Sequence, residues 1–571
     1  MSRRTRQGVK PRIILIIVII VAAVVVVIAG LFLARRYAPG KEKSDLNTYY
    51  DLAGEDSMYL VVNDQKSESN GFVEDGEGYL PVKEVQSMLN NRFYWDDTGK
   101  ILRLVEGDRI VQTSADTASY TVGKSKEQAA HTIVKIRDKQ AYLSWSFVRQ
   151  YTAAYGTLYQ EPNRMVISTQ FDETTWQTAG KNTQIREKGG IKSPVVAEVE
   201  RGERLHVTEE LDDWSKVITY DGEIGYIQNK HLGSEVTEAP QVEDTVYKEV
   251  PHTHTRHSGK ISMLWHQVTN QTANASLASV LSQAKGINVI SPTWFYLNDN
   301  EGNIVSHASS EYVNTCHNND IQVWALVSNI ENGDVDTTKV LCETASRDRL
   351  ISNLISAVLQ CGADGINVDF ESLKNEVGYG FIEFIRELSV RCATNGLILS
   401  VDNYPPSSYT GLYYRTEQAA FADYLVLMAY DEHFSGSEEA GPVASISYVN
   451  KSVKDTLKEV PADQIVLGMP LYSRLWQTKD GKVASRTYGM QEADKQLFEK
   501  DIEKEWDAEA GQYYASWKDN GTRYDLWLED DRSLEEKLKV MQSNKLAGAS
   551  FWKYGYQRNN IWSVIGNYMK D

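Results

Sequence analysis

The sequence predicts a multidomain chain: a C-terminal (β/α)8 TIM barrel with a small α+β insertion, preceded by a small β-barrel and a small α+β domain, behind one N-terminal transmembrane helix. Three observations lead there. At 571 residues the chain exceeds what one ordinary core supports, so several units are expected. Residues 13–34 form a run of mostly Ile, Val and Ala without a single charge. After residue 258, short apolar runs recur between helical segments, the alternation that builds a parallel sheet.

Taken in order, residues 1–12 carry Arg3, Arg4, Arg6, Lys10 and Arg12 and read as a cytoplasmic tail. The apolar run 13–34 spans a roughly 30 Å hydrocarbon layer at 1.5 Å per residue. It continues into "ARRYAPG" with no small-x-small cleavage site, so an uncleaved signal-anchor is expected, with the remainder of the chain extracellular. Residues 35–46, with Pro39, Gly40 and several charges, read as a short stalk.

Residues 47–174 mix strand-like runs ("SMYLVVND", "KILRLVEG", "NRMVISTQ") with amphipathic stretches and predict a small α+β domain. The stretch from Gly78 to Asp108 resembles the N-terminal domain named after copper amine oxidases. It holds no His/Cys cluster, so the resemblance implies a stalk or wall-binding module and no copper. Residues 175–233 give short strands linked by Gly and Asp turns. Their Asn182–Arg186 opening strand, Gly202, Trp214 and "GEIGYI" resemble the bacterial SH3-like domain, which implies binding of cell-wall peptides or a spacer role. A linker follows over 234–257. Its "PHTHTRH" contains His252, His254 and His257 but no carboxylate or thiol to complete a metal site, and none is expected.

A net charge of −18 sets the molecule's field against polyanions, and no nucleic-acid partner is expected. The four cysteines, Cys316, Cys342, Cys361 and Cys392, lack the spacing of a zinc knuckle or disulfide framework and read as small buried hydrophobes.

Within 258–571, eight strands are expected at 261–265, 288–291, 321–326, 365–370, 397–401, 424–429, 465–468 and 547–551. The connection before the last is too long for a plain loop and predicts an insertion over about 474–531. In the fourth strand, "ADGINVDFES", alternate side chains share a face. Asn367, Asp369 and Glu371 therefore project together while Ile366, Val368 and Phe370 take the other side. A solvated acidic strand end shows the same alternation. What separates the two readings is whether other strand ends carry matching chemistry, since a barrel of this kind works at the carboxyl ends of its strands. Trp265 and His266, Trp294, "MAYDEH" (Met428, Tyr430, Asp431), Tyr472 and Trp552 stand at or just beyond such ends. Aromatic faces there suit the C–H surfaces of sugar rings.

With Asp364, Asn367, Asp369 and Glu371 falling on DxxDxDxE, "MAYD" on the sixth strand and Trp552 closing the eighth, residues 258–571 resemble glycoside hydrolase family 18. The departure is Asn367 where the common signature has an aspartate, as in the spore-cortex and cell-wall N-acetylglucosaminidase branch. The resemblance implies a retaining, substrate-assisted mechanism needing no metal and no cofactor. Glu371 would be the acid/base, Asp369 would orient the substrate acetamido group, Tyr430 would hold its carbonyl, and Asp431 would assist. Trp552, Met428, Trp265, Trp294 and Tyr472 are the expected sugar contacts, with Asp364 and Asn367 supporting the motif. A membrane-tethered enzyme facing the wall is expected to act on peptidoglycan or spore cortex. A chitinase, an endo-β-N-acetylglucosaminidase on other glycans, and a non-catalytic glycan-binding envelope protein are the alternatives.

Overall fold

The computed structural model describes residues 11–240 and 246–569. Arg3, Arg4, Arg6 and Lys10 of the expected tail, and residues 241–245 of the expected linker, lie outside them. The chain forms two compact units, Met1–Asn90 with Lys135–Lys248, and Asn91–Val134 with Glu249–Asp571.

In the first unit, Pro11–Tyr37 is one 27-residue helix whose Ile, Val and Leu side chains are exposed on every face. Its length and composition match a bilayer crossing, a test that a signal sequence also passes. The segment after it does not run free. Lys43 forms a parallel bridge with Val195, and Val195 N–H donates to the Glu42 carbonyl at 2.8 Å. The short chain thus adds an edge to the seven-stranded sheet of residues 174–238. A second, eight-stranded sheet carries Ser57–Val62 at its centre, and this strand shares a core with the seven-stranded one. Tyr59 stacks on Tyr50 at 4.0 Å and its hydroxyl donates to the Gly222 carbonyl at 3.1 Å.

The second unit is built on a parallel sheet of β1 (Ile261–His266), β2 (Val289–Pro292), β3 (Gln322–Ser328), β4 (Gly365–Asp369), β5 (Ile398–Asn403), β6 (Tyr424–Met428), β7 (Ile465–Pro470) and β8 (Gly548–Trp552). The hydrogen-bonded order is 2-1-8-7-6-5-4-3, and pairing of β2 with β3 closes the barrel. Two apolar layers result from the period-2 alternation. Met263, Trp265, Trp324, Leu326 and Val426 fill the interior, while Leu264, Ile366, Val368 and Leu427 pack under the helices. Helix Thr344–Cys361 ends at Gly362, whose φ of 81° makes the left-handed turn that releases the chain into β4. Between β7 and β8, five antiparallel strands and helix Met490–Phe498 form the α+β insertion, with its own core of Leu475, Leu497, Leu526 and Leu528.

A further antiparallel sheet, residues 94–128, belongs to this unit and is fastened to the barrel's helices by ion pairs of Arg103. Arg103 reaches Asp348 at 2.7 Å and Glu387 at 3.0 Å, and Arg347 holds Glu387 from the other side at 2.9 Å. Burial raises the proton affinity of Glu387, but the two guanidinium groups more than offset it and hold the carboxyl below its ordinary range. Residues 252–257 are also tied down: His252 lies 2.7 Å from Asp108, and Thr255 N–H donates to Asp423 at 2.6 Å.

Candidate active site

The site begins at β4, where the alternation sends Asn367 and Asp369 into the barrel and Ile366 and Val368 under the helices. Glu371 lies just past the strand end, followed by Ser372 with φ 53°. The loop after β3 fixes this turn: Glu371 N–H donates to Asn329 Oδ1 at 2.8 Å, and Asn329 Nδ2 donates to the Glu371 carbonyl at 3.0 Å. The Tyr404 hydroxyl donates to Glu371 Oε2 at 2.5 Å.

Burial raises the proton affinity of Glu371, the Tyr404 bond opposes that, and the charges of Asp431 and Glu331 add to it. Asp369 is pushed well above the usual carboxylate range by burial first, then by Asp402, Glu371 and Glu331. Its Oδ1 is shut away from solvent and has no hydrogen-bond partner. Asp402 is likewise raised by burial, partly offset by the amide of Asn367. Several carboxyls therefore crowd one end of the barrel and raise one another's proton affinity, an arrangement characteristic of acid–base chemistry.

Tyr430 stands just past β6 and feels the same acids: burial first, then Tyr472, Asp369, Asp402 and Glu371 raise its hydroxyl well above the ordinary value. Asp431, with φ 54°, accepts a 2.7 Å bond from the Tyr472 hydroxyl. Trp552 ends β8, half-buried, with its ring edge-on to Trp265 at 5.7 Å. Met428 is buried at the end of β6. Tyr409 and Phe434, on the loops after β5 and β6, are the exposed aromatics here, Tyr409 being 87 % exposed. A groove of about 1180 Å³ lies along the insertion, lined by Tyr488, Asp494, Phe498 and Tyr556 among others, and includes none of these acids.

Tyr472, an expected sugar contact, is 3 % exposed and holds Asp431 instead, and two further expected contacts are placed elsewhere. Trp294 is 0 % exposed, packs edge-on to Tyr312 under the helices, and donates its N–H to Asn274 at 2.8 Å. The chain turns after Pro292, so an aromatic two residues on follows the outer layer and not the mouth. Trp265 is 1 % exposed inside the barrel and donates to Asn367 Oδ1 at 3.1 Å, so it supports the motif from within and offers no free face. Asp364 sits at the start of β4, at the opposite end from Glu371, where its Oδ2 accepts from Val323 N–H at 2.7 Å and lies 2.9 Å from His317 Nε2. Asp402, Tyr404, Asn329 and Glu331 are the site residues that sequence reasoning missed. Ser400, Asp402 and Tyr404 continue one period-2 polar face, a signal lost when β5 is ended at Val401.

Comparison with known proteins decides the family. The model of glycosyl hydrolases family 18 matches residues 265–557, just over half of the chain. The chain belongs to glycoside hydrolase family 18. Upstream, the bacterial SH3 domain matches residues 181–233 and the copper amine oxidase N-terminal domain matches 61–193. Among its relatives, the chain is 28 % identical over 245 residues to YdhD of Bacillus subtilis (strain 168), which carries the name of a sporulation-specific glycosylase. That match covers 40 % of this chain and 56 % of the relative. The cortical fragment-lytic enzyme of Bacillus anthracis is 27 % identical over 256 residues, 42 % of this chain and 58 % of the enzyme. The chain therefore spans little more than half the length of these relatives. The spore cortex-lytic enzyme SleL of Bacillus cereus has the same fold, with a TM-score of 0.50 and 21 % identity over 60 % of this chain and 78 % of that one.

Proposed function

We propose that this family 18 chain is a membrane-anchored extracellular hydrolase that cuts β-1,4 bonds after N-acetylglucosamine in peptidoglycan or spore cortex, by substrate-assisted retaining catalysis. The observation that carries the mechanism is Asp369, whose Oδ1 is sheltered from solvent without a partner beside Glu371. A buried acceptor left open is costly unless a ligand fills it, and an acetamido N–H is a donor of the right kind.

In this reading Glu371, whose proton affinity is raised by its buried and acid-lined setting, gives its proton to the glycosidic oxygen as the bond breaks. The substrate's own acetamido oxygen closes on C1. Asp369 accepts the acetamido N–H and offsets the positive charge of the oxazolinium, while Tyr430 donates to the carbonyl oxygen. Asp431, anchored by Tyr472, orients the sugar, and Trp552 forms the floor beneath it. Water then opens the intermediate with retention, Glu371 acting as base.

The choice of glycan rests on the cortical enzyme of Bacillus anthracis among the relatives, on the apolar N-terminal helix and on the SH3 domain, for which we propose wall-peptide binding. Product analysis on purified peptidoglycan tests it. N-acetylglucosamine at the new reducing end and loss of release in Glu371→Gln are expected. N-acetylmuramic acid at that end rejects the bond assignment, and turnover of chitin oligomers alone favours a chitinase.

A further inference from the structure

Asn367 stands where the DxxDxDxE signature has its second aspartate, so β4 lacks one acid of the usual set. The amide that replaces it is fully committed. Its Oδ1 accepts from Trp265 Nε1 at 3.1 Å and Ser291 Oγ at 3.1 Å, and its Nδ2 donates to Ser400 Oγ at 3.0 Å and Asp402 Oδ1 at 2.7 Å. An indole N–H only donates, which fixes the oxygen toward Trp265 and turns the NH2 toward Asp402. Asp402 is 2 % exposed and lies on β5, the parallel neighbour of β4. Asn367 is opposite Ser400 and Val368 opposite Val401, so one further step along the strands brings Asp402 level with Asp369 on the inner face. Adjacent strands lie about 5 Å apart. The carboxyl absent from β4 is present one strand over.

We propose that Asp402 is the positioning carboxyl for Asp369, supplied from β5 and held by the amide of Asn367 in place of the acid that the signature has on β4. The proposal rests on the role given to Asp369 above. Two carboxyls side by side in a dry interior do not both ionise, and they titrate as a pair. The groups acting on Asp369 are the carboxyls of Asp402, Glu371 and Glu331, with the hydroxyls of Tyr430, Tyr404 and Tyr413 in range of its charge. Those acting on Asp402 are Asn367 and Glu371, with the Tyr430 hydroxyl in range of its charge. The donated N–H of Asn367 favours the ionised form of Asp402, which leaves the proton on Asp369. When an acetamido N–H and the positive charge of the intermediate arrive, the proton passes from Asp369 to the carboxylate of Asp402 beside it, so the charge on Asp369 is created where and when it is needed.

The test is an infrared pH titration of the full-length chain in detergent, following the protonated-carboxyl C=O band assigned to Asp369 by its loss in Asp369→Asn. Asp402→Asn, which keeps the shape and the acceptor for Asn367, is expected to move the band's midpoint to lower pH. Asn367→Asp is expected to move it to higher pH by adding an acid, and the double exchange to return it toward the wild-type position. The acid limb of kcat/KM on peptidoglycan is expected to follow in the same order. An unmoved midpoint in Asp402→Asn overturns the proposal, as does movement in the same direction in both single variants. Should Asn367→Asp fail to fold, the isosteric Asp402→Asn decides alone. Failure of the underlying reading is separately visible: peptidoglycan cleavage that persists in Glu371→Gln, or is absent from the wild type, removes the catalytic assignment, while the band titration still judges Asp402.

Discussion

Tyr404→Phe is the sharpest probe of Glu371. The substitution removes only the hydroxyl that donates to Oε2 at 2.5 Å and leaves the ring, which packs edge-on to Tyr413 at 5.8 Å. A hydrogen bond to an ionised group contributes about 1.5–3 kcal/mol, and partial solvent access at Tyr404 discounts this to about 1 kcal/mol. That equals about fivefold in the proton affinity of Glu371. The Tyr404 bond stabilises the carboxylate, so its loss makes the acid harder to ionise. The alkaline limb of kcat/KM, which reports loss of the proton from the general acid, is therefore expected to move to higher pH. Activity at the optimum is expected to fall as well, because the carboxyl is no longer steered by its partner. The assay is reducing-end release from peptidoglycan between about pH 4 and 9, with Glu371→Gln as the inactive control. An alkaline limb that stays in place, or moves to lower pH, refutes the assignment of Glu371 as the group that Tyr404 holds.

Other expectations follow from the same electrostatics. Asp369 is raised well above its unfolded value, so folding is favoured below the unfolded titration range and loses that advantage as pH rises. Asp369→Asn is accordingly expected to lose turnover yet melt at a higher temperature near pH 8, the gain fading toward pH 4, as read by calorimetry; a lower melting temperature at both pH values counts against the buried-acid account. Arg347→Ala leaves Glu387, which is 1 % exposed, with one guanidinium instead of two, and is expected to cost about 3–5 kcal/mol in denaturant unfolding. A loss under about 1 kcal/mol there would mean that Arg347 is not what compensates the buried charge of Glu387.

Much of the barrel was legible because its strands are buried on both sides and are short apolar runs. The observed β-strands begin and end within two residues of those expected at every position, and the closed parallel sheet follows. The acid row of β4 was legible for the same local reason, since period-2 alternation alone puts Asn367 and Asp369 on one face. For Trp294 the sequence offers no sign of direction, because an aromatic just past a strand end can turn either way. It turned outward to the helix layer, where Asn274 takes its N–H. Trp265 lies on the expected strand but offers no face to a sugar, because its ring is inside the barrel and its N–H is committed to Asn367.

By itself the sequence determined the membrane-length apolar helix, the alternating β4 signature with Glu371 at its outer end, and the order of strands and helices that makes a barrel. These are properties of periodicity and run length, written within a few neighbouring residues. Only the tertiary structure decided what Asn367 means. Its four hydrogen bonds come from β1, β2 and β5, segments 33 to 102 residues away along the chain. No local pattern encodes that meeting, because it exists only once β5 is laid beside β4 in register and the barrel has closed around them.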